Sequence, residues 1–238
     1  MSAHTLFGLV PLLSMSAFAI AGAFQLARRS SPTAVPALLA AAFHRPRYTR
    51  MSVVALLIGH VAMIAWPAQL LNWIRDPIRL LALEVVSFTA GTVATVAVVV
   101  MIRGRLRTTI RWPIGDVVFL SALVLTMMSG LGLALVHRWA AAWSISTLTP
   151  YVRSVLSLQP DVDRIDELPY LVRLHVCSTF LVLAMLPFST AFEVVRRAWY
   201  RIHRAITPVV SALDRKWDLA QERVRQRGRR VMWPEEDD

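Results

Sequence analysis

The sequence predicts an all-α integral membrane protein with five transmembrane helices, the N-terminus outside and the C-terminus cytoplasmic. Three observations carry that prediction. The 238 residues are 56% hydrophobic with a mean hydropathy of +0.52, well above an ordinary soluble domain. The apolar residues gather in five runs, long enough to cross a hydrocarbon core of about 30 Å. The arginines bracket those runs and collect in alternate connections. A net charge of +11 would suit nucleic acid, but the arginines form no single stripe, so they read as orientation signals and no nucleic-acid partner is expected.

The first span runs from Thr5 to Ala27 and is uncharged. Its small residues from Ala17 to Ala23 raise the alternative of a cleaved signal peptide. Such a peptide needs a basic region ahead of its apolar run. Only His4 precedes this run, and the arginines follow it, so retention as an anchor is expected. The second span, Met51 to Pro67, holds one titratable group, His60. The third, Leu80 to Ile102, carries Glu84 near its start; the fourth runs from Asp116 to Val136, and the fifth from Tyr170 to Phe192. Arg28, Arg29, Arg45, Arg47 and Arg50 follow the first span. Arg103, Arg105, Arg107 and Arg111 follow the third, and Arg196, Arg197, Arg201 and Arg204 the fifth. The opposite side is sparse or acidic, with Asp161, Asp163, Asp166 and Glu167 before span five. Basic residues stay in the cytoplasm, which fixes the orientation and places the protein in the cytoplasmic (inner) membrane as a multi-pass protein. Residues 1–195 form the transmembrane domain, and 196–238 a basic, amphipathic cytoplasmic tail.

An imidazole inside a membrane span needs a partner, which makes His60 and His175 functional candidates. Lying on different helices, each near a membrane boundary, they suggest the two axial ligands of one haem. Depth tests the idea. His175 is five residues past Tyr170, so about 7 Å inside the outer boundary. If span two continued to Ile74, His60 would be about 21 Å deep and the two could not meet. If it leaves the membrane at Pro67, His60 is about 10 Å deep and the depths match. Residues 68–77, with Trp73, would then lie along the surface.

Other polar groups are weighed against plainer roles. Arg173 is favoured as a partner for a haem propionate over a simple interfacial arginine. Glu84, about one turn into span three, either takes a proton from a quinol or reaches back to Arg79 as a structural pair; the residues leave both open. Asp116 reads as a carboxylate at its helix N-terminus. Trp66, Trp73, Trp139 and Trp143, with His137 and Arg138, read as interface. His44 and His203 read as solvated surface groups. The single cysteine, Cys177, excludes disulfides and thiolate clusters and reads as a small packed group. No phosphate loop, metal-binding cysteine pair or Ser-His-Asp set can be assembled.

The stretch from Gly59 to Pro67, the Arg173-Leu174-His175 triplet and the stretch from Leu186 to Ser189 resemble the membrane cytochrome b, or gamma, subunits of respiratory nitrate reductases. So do residues 151–156 with Pro160, and residues 208–219. The resemblance implies b-type haem held by histidines of spans two and five, quinol oxidation near the outer haem, and docking of the 208–219 segment on cytoplasmic catalytic subunits of the iron–sulfur and molybdenum type. Gly59, Arg79 and Glu84 become quinol-site candidates. Two haems are usual in that family, and here the pattern breaks. The inner ligands should fall ten residues before His60 and eighteen after His175, where Arg50 and Glu193 stand. Neither is an ordinary haem ligand, so one haem b is expected, near the outside. Eighteen residues make five helical turns, which would set Glu193 on the face of His175. Arg50 and Glu193 either pair in a guanidinium–carboxylate fork or snorkel separately to the interface.

The expected function is electron transfer between quinol or quinone and a nitrate-reductase-like oxidoreductase complex. The alternatives are a membrane anchor or assembly subunit whose haem is structural or vestigial, or electron exchange with a partner on the outer face.

Overall fold

The computed structural model describes residues 4–27, 47–107, 112–137 and 139–232. Arg28, Arg29, His44, Arg45, Arg111 and Arg138 lie outside the described residues. The chain divides into two compact units, Met1–Phe192 and Glu193–Asp238. The described residues are helical, with no strand among them.

Five helices are long and apolar enough to cross a membrane, over His4–Ala27, Arg47–Ala65, Pro77–Leu106, Ile114–Val136 and Tyr170–Phe188. The first begins with a π-helical stretch, His4–Leu9, and continues as α1 (Val10–Ala27). Helix α2 (Arg47–Ala65) stops at Trp66, whose φ of −130° and ψ of 53° leave the helical region. Pro67 is the cause, because its ring disfavours the α conformation in the residue before it. A separate short helix, α3 (Pro67–Trp73), follows. The second span therefore ends at the proline, as the depth argument required.

Helix α4 (Pro77–Leu106) starts on Asp76, whose side chain accepts the Ile78 N–H at 2.8 Å, with Pro77 in the first turn where no N–H is needed. Helix α5 spans Ile114–Val136. The connection after it holds α6 (Ala140–Trp143), a π-helical stretch over Ser144–Leu148, α7 (Thr149–Leu156) and α8 (Asp163–Asp166). Leu158 closes α7 with φ at 61°, and the Leu158 and Gln159 amides donate to the Val155 and Ser154 carbonyls. Those paired bonds form the helix-ending motif that ordinarily takes glycine.

Helix α9 covers Tyr170–Met185 and tightens into a 3-10 turn over Leu186–Phe188. The continuous fifth span expected to Phe192 is not formed. Pro187 cannot donate a backbone hydrogen bond, and Ser189–Ala191 leave the helix before α10 (Phe192–Met232) begins. The five-turn register between His175 and Glu193 is therefore broken.

Helix α2 packs on α4, α4 on α5, α5 on α9, and α9 on α1. The two histidine-bearing helices, α2 and α9, are thus joined through α4 and α5. Two apolar clusters hold the bundle. One gathers Phe7, Tyr151, Val155, Val162, Ile165 and Val176, with Cys177 packed against it as a small group. The other gathers Met101, Phe119 and Leu120 with Trp112, Met185 and Leu186. At the first cluster, the Tyr151 hydroxyl donates to the Phe7 carbonyl at 2.8 Å. This bond ties the α6–α8 connection to the start of the chain across 144 residues.

Candidate functional site

His60 lies five residues before the end of α2, and His175 five residues after the start of α9. At 1.5 Å per residue each ring sits about 7.5 Å along its helix from that end. The two histidines that the sequence singles out therefore stand at matching distances from the ends of their helices.

Each ring is oriented through Nδ1. His60 Nδ1 is 2.8 Å from the Leu56 carbonyl oxygen, one turn back in its own helix. His175 Nδ1 is 3.0 Å from the Thr126 carbonyl oxygen and 3.2 Å from Ser129 Oγ, both on α5. A carbonyl oxygen can only accept, so Nδ1 carries the proton in both rings. Each Nε2 then holds the lone pair. A neutral imidazole with Nδ1–H tied to a carbonyl and Nε2 free is the usual state of a metal-ligating histidine. The donor set therefore fits a bis-histidine haem.

Gly130 belongs to the same arrangement. A Cβ placed there would stand 3.0 Å from His175 Cε1 and 3.3 Å from Nδ1, so glycine is what lets α5 approach the ring. Sequence reasoning missed Thr126, Ser129 and Gly130. A serine and a glycine at successive positions inside an apolar span were visible, but not that they face His175, and Thr126 contributes a backbone carbonyl that no side chain marks.

The remaining candidates have more local partners. Glu84 Oε1 accepts the Ala141 N–H at 2.7 Å, tying α4 to α6. Arg79 is exposed and faces Asp76 at 3.9 Å, so the Glu84–Arg79 pair is replaced by two separate contacts. The cause is the cap: Asp76 sits three residues from Arg79, within reach on the first turn. Arg173 Nη1 is 3.6 Å from Asp166 in the preceding connection, while its Nε is buried without a hydrogen-bond partner. Two residues along a helix turn the chain by about 200°, so Arg173 leaves α9 on a different side from His175. At Gly59 a Cβ would meet nothing within 4 Å. His137 stacks on Trp143, with ring centroids 5.4 Å apart.

Asp116 does more than flank its own helix. Buried at 4% exposure, it accepts the Thr190 N–H at 2.6 Å and the Thr190 hydroxyl at 3.0 Å, capping the break after α9. Beside it, a Cβ on Gly115 would fall on the Phe188 carbonyl oxygen. Arg50 is exposed on α2. In the second unit, both Glu193 oxygens are engaged by its own helix, Oε2 with Arg196 Nη2 at 2.6 Å and Oε1 with Arg197 Nε at 3.2 Å.

A family model described as nitrate reductase gamma subunit matches residues 3–199. The chain belongs to that family. No curated protein matches it. Membership, together with five helices able to span a bilayer, makes it a multi-pass membrane protein. It points to a membrane cytochrome b subunit of a nitrate reductase, associated with that enzyme's catalytic subunits.

Proposed function

We propose that the protein transfers electrons between quinol or quinone and a nitrate-reductase-like complex, using one haem b held by His60 and His175 near the outer face of the cytoplasmic membrane. The observation that carries this reading is the matched pair of imidazoles, equally placed on two spans, each with Nδ1–H on a backbone carbonyl and Nε2 free. When bound, the haem supplies reversible one-electron transfer.

The chain's own groups do the rest. His60 and His175 hold the ligand positions. Arg173, paired with Asp166 from a different side of α9, takes the plainer role of an interfacial arginine. Glu84, with one oxygen committed to the Ala141 amide, accepts a quinol proton on the other, and Gly59 and Arg79 are further quinol-site candidates. Arg50 and Glu193 stand where a second ligand pair would fall, which keeps the count at one. The α10 helix docks on the iron–sulfur and molybdenum-type subunits, since Trp199, Ile202, Ile206, Leu213 and Trp217 form an exposed apolar stripe at helical spacing.

Purified with its co-purifying partners, the protein should carry one haem b per chain with a low-spin bis-imidazole spectrum. His60→Ala and His175→Ala should each abolish that signal, and His137→Ala and His203→Ala should leave it. A quinol analogue should reduce the haem. Two haems per chain, or a low-spin signal surviving His175→Ala, would refute the assignment. A haem that quinol analogues cannot reduce would favour the anchor role instead.

A further inference from the structure

We infer that Thr126, Ser129 and Gly130 form a seat on α5 that fixes the plane and hydrogen-bond state of the His175 ring, and so sets its strength as an iron ligand. This rests on the haem reading proposed above. The three residues lie at i, i+3 and i+4, on one face of the helix.

Ser129 Oγ lies 2.8 Å from the Leu125 carbonyl oxygen and 3.0 Å from that of Thr126. Both are acceptors, so the single hydroxyl proton is spent on them. Ser129 therefore meets His175 Nδ1 with a lone pair. The Nδ1–H is shared between Ser129 Oγ at 3.2 Å and the Thr126 carbonyl at 3.0 Å, a three-centre bond. Ser129 is 3% exposed, so water has little access to take its place.

Gly130 supplies the second half of the seat. Its Cα faces the ring closely enough that a Cβ would crowd Cε1, Nδ1 and, at 3.9 Å, Nε2. His60 has no such support. Its Nδ1–H goes to one acceptor within its own helix, and its ring is exposed. The two ligands are thus unequal by construction. Two acceptors on Nδ1–H draw the imidazole toward imidazolate character and raise the basicity of Nε2. A stronger donor favours ferric over ferrous iron, so the seat lowers the midpoint potential.

The test is a redox titration with low-temperature electron paramagnetic resonance on the haem-loaded complex. Ser129→Ala should keep haem content and the low-spin signal while shifting the midpoint upward. Ser129→Thr, which keeps the hydroxyl, should return it toward the unmodified value. Gly130→Ala should displace the ring and shift the low-spin g-values. Gly132→Ala should leave them in place, since its Cβ would meet the Leu171 side chain at 3.2 Å instead. Absence of haem from the unmodified protein would overturn the haem reading and the seat with it. A low-spin haem indifferent to Ser129→Ala and Gly130→Ala, or equally disturbed by Gly132→Ala, would overturn the seat alone.

Discussion

The surroundings of His60 and His175 are held by different chemistry from those of Asp116 and of Glu193. Around the histidines, neutral donors meet backbone carbonyls: two imidazoles on Leu56 and Thr126, and the Tyr151 hydroxyl on Phe7. Around Asp116, and around Glu193, charge does the work. Asp116 caps Thr190, and Glu193 engages two arginines. Neutral networks can be buried without the desolvation penalty that ions carry. They also hold a ring in one tautomer. Ionic contacts suit a place where the chain leaves the bilayer and must change direction.

The charged region should be the more fragile to small changes. Gly115→Ala drives a methyl into the Phe188 backbone carbonyl, which no rotamer change can relieve. A loss of about 3 kcal/mol or more is expected. Gly104 offers the control, since a Cβ there meets nothing within 4 Å and alanine is the better helix former by about 1 kcal/mol. Thermal unfolding in detergent should place Gly115→Ala far below, and Gly104→Ala at or above, the unmodified protein. Equal effects would mean that Gly115 and Phe188 are not in close contact. Asp116→Ala comes next. It leaves the Thr190 N–H without its acceptor at a buried site, at about 2–3 kcal/mol. The same assay reads it, and limited proteolysis near residue 190 should quicken. An unchanged cleavage rate would remove the capping role.

The parts of this architecture that rest on pattern along one chain were legible in the sequence. Five apolar runs gave five helices, and Pro67 ended the second where depth matching required it. His60 and His175 stood out because an imidazole is rare in hydrocarbon. What was not legible depends on partners distant in the chain. Asp116 and Thr190 are 74 residues apart, Glu84 and Ala141 57, and Ser129 and His175 46. Nothing in the local spacing says which backbone amide a carboxylate will reach. Pro187 was visible, but its effect on the register between His175 and Glu193 was not drawn. A proline can kink a helix or end it, and here it ends it, with Asp116 holding the freed Thr190 amide.

In the neutral region, Tyr151→Phe should have a smaller effect. It removes the only hydroxyl on a fully buried ring and leaves the Phe7 carbonyl without that donor. About 1–2 kcal/mol should be lost near neutral pH. Burial raises the Tyr151 phenol above its ordinary range, so the folded state favours the neutral form. That contribution is complete below the ordinary phenol pKa of about 10 and falls away as pH rises beyond it. The stability gap between the unmodified protein and Tyr151→Phe should therefore be constant to about pH 9 and narrow above it. A gap that widened in alkali would reverse the sign of the argument.

The smallest expected effect is a coupling. Arg50 and Glu193 occupy the two positions where the family pattern places a second ligand pair, so a mutual ion pair is the natural rival to independence. Glu193 already holds Arg196 and Arg197 through both oxygens, with Glu193 and Arg196 side chains at 11% and 9% exposure. Glu193→Gln should therefore destabilise by itself, because it strips a little-exposed guanidinium of its carboxylate. Arg50→Gln, at an exposed position, should cost little. If the two are independent, the double variant equals the sum of the singles to within about 0.5 kcal/mol. A coupling well beyond that would show that Arg50 shares the Glu193 carboxylate, and that the charged region had replaced a ligand pair with an ion pair. Additivity would leave Glu193 as a local clamp at the start of α10, with the haem ligation confined to His60 and His175.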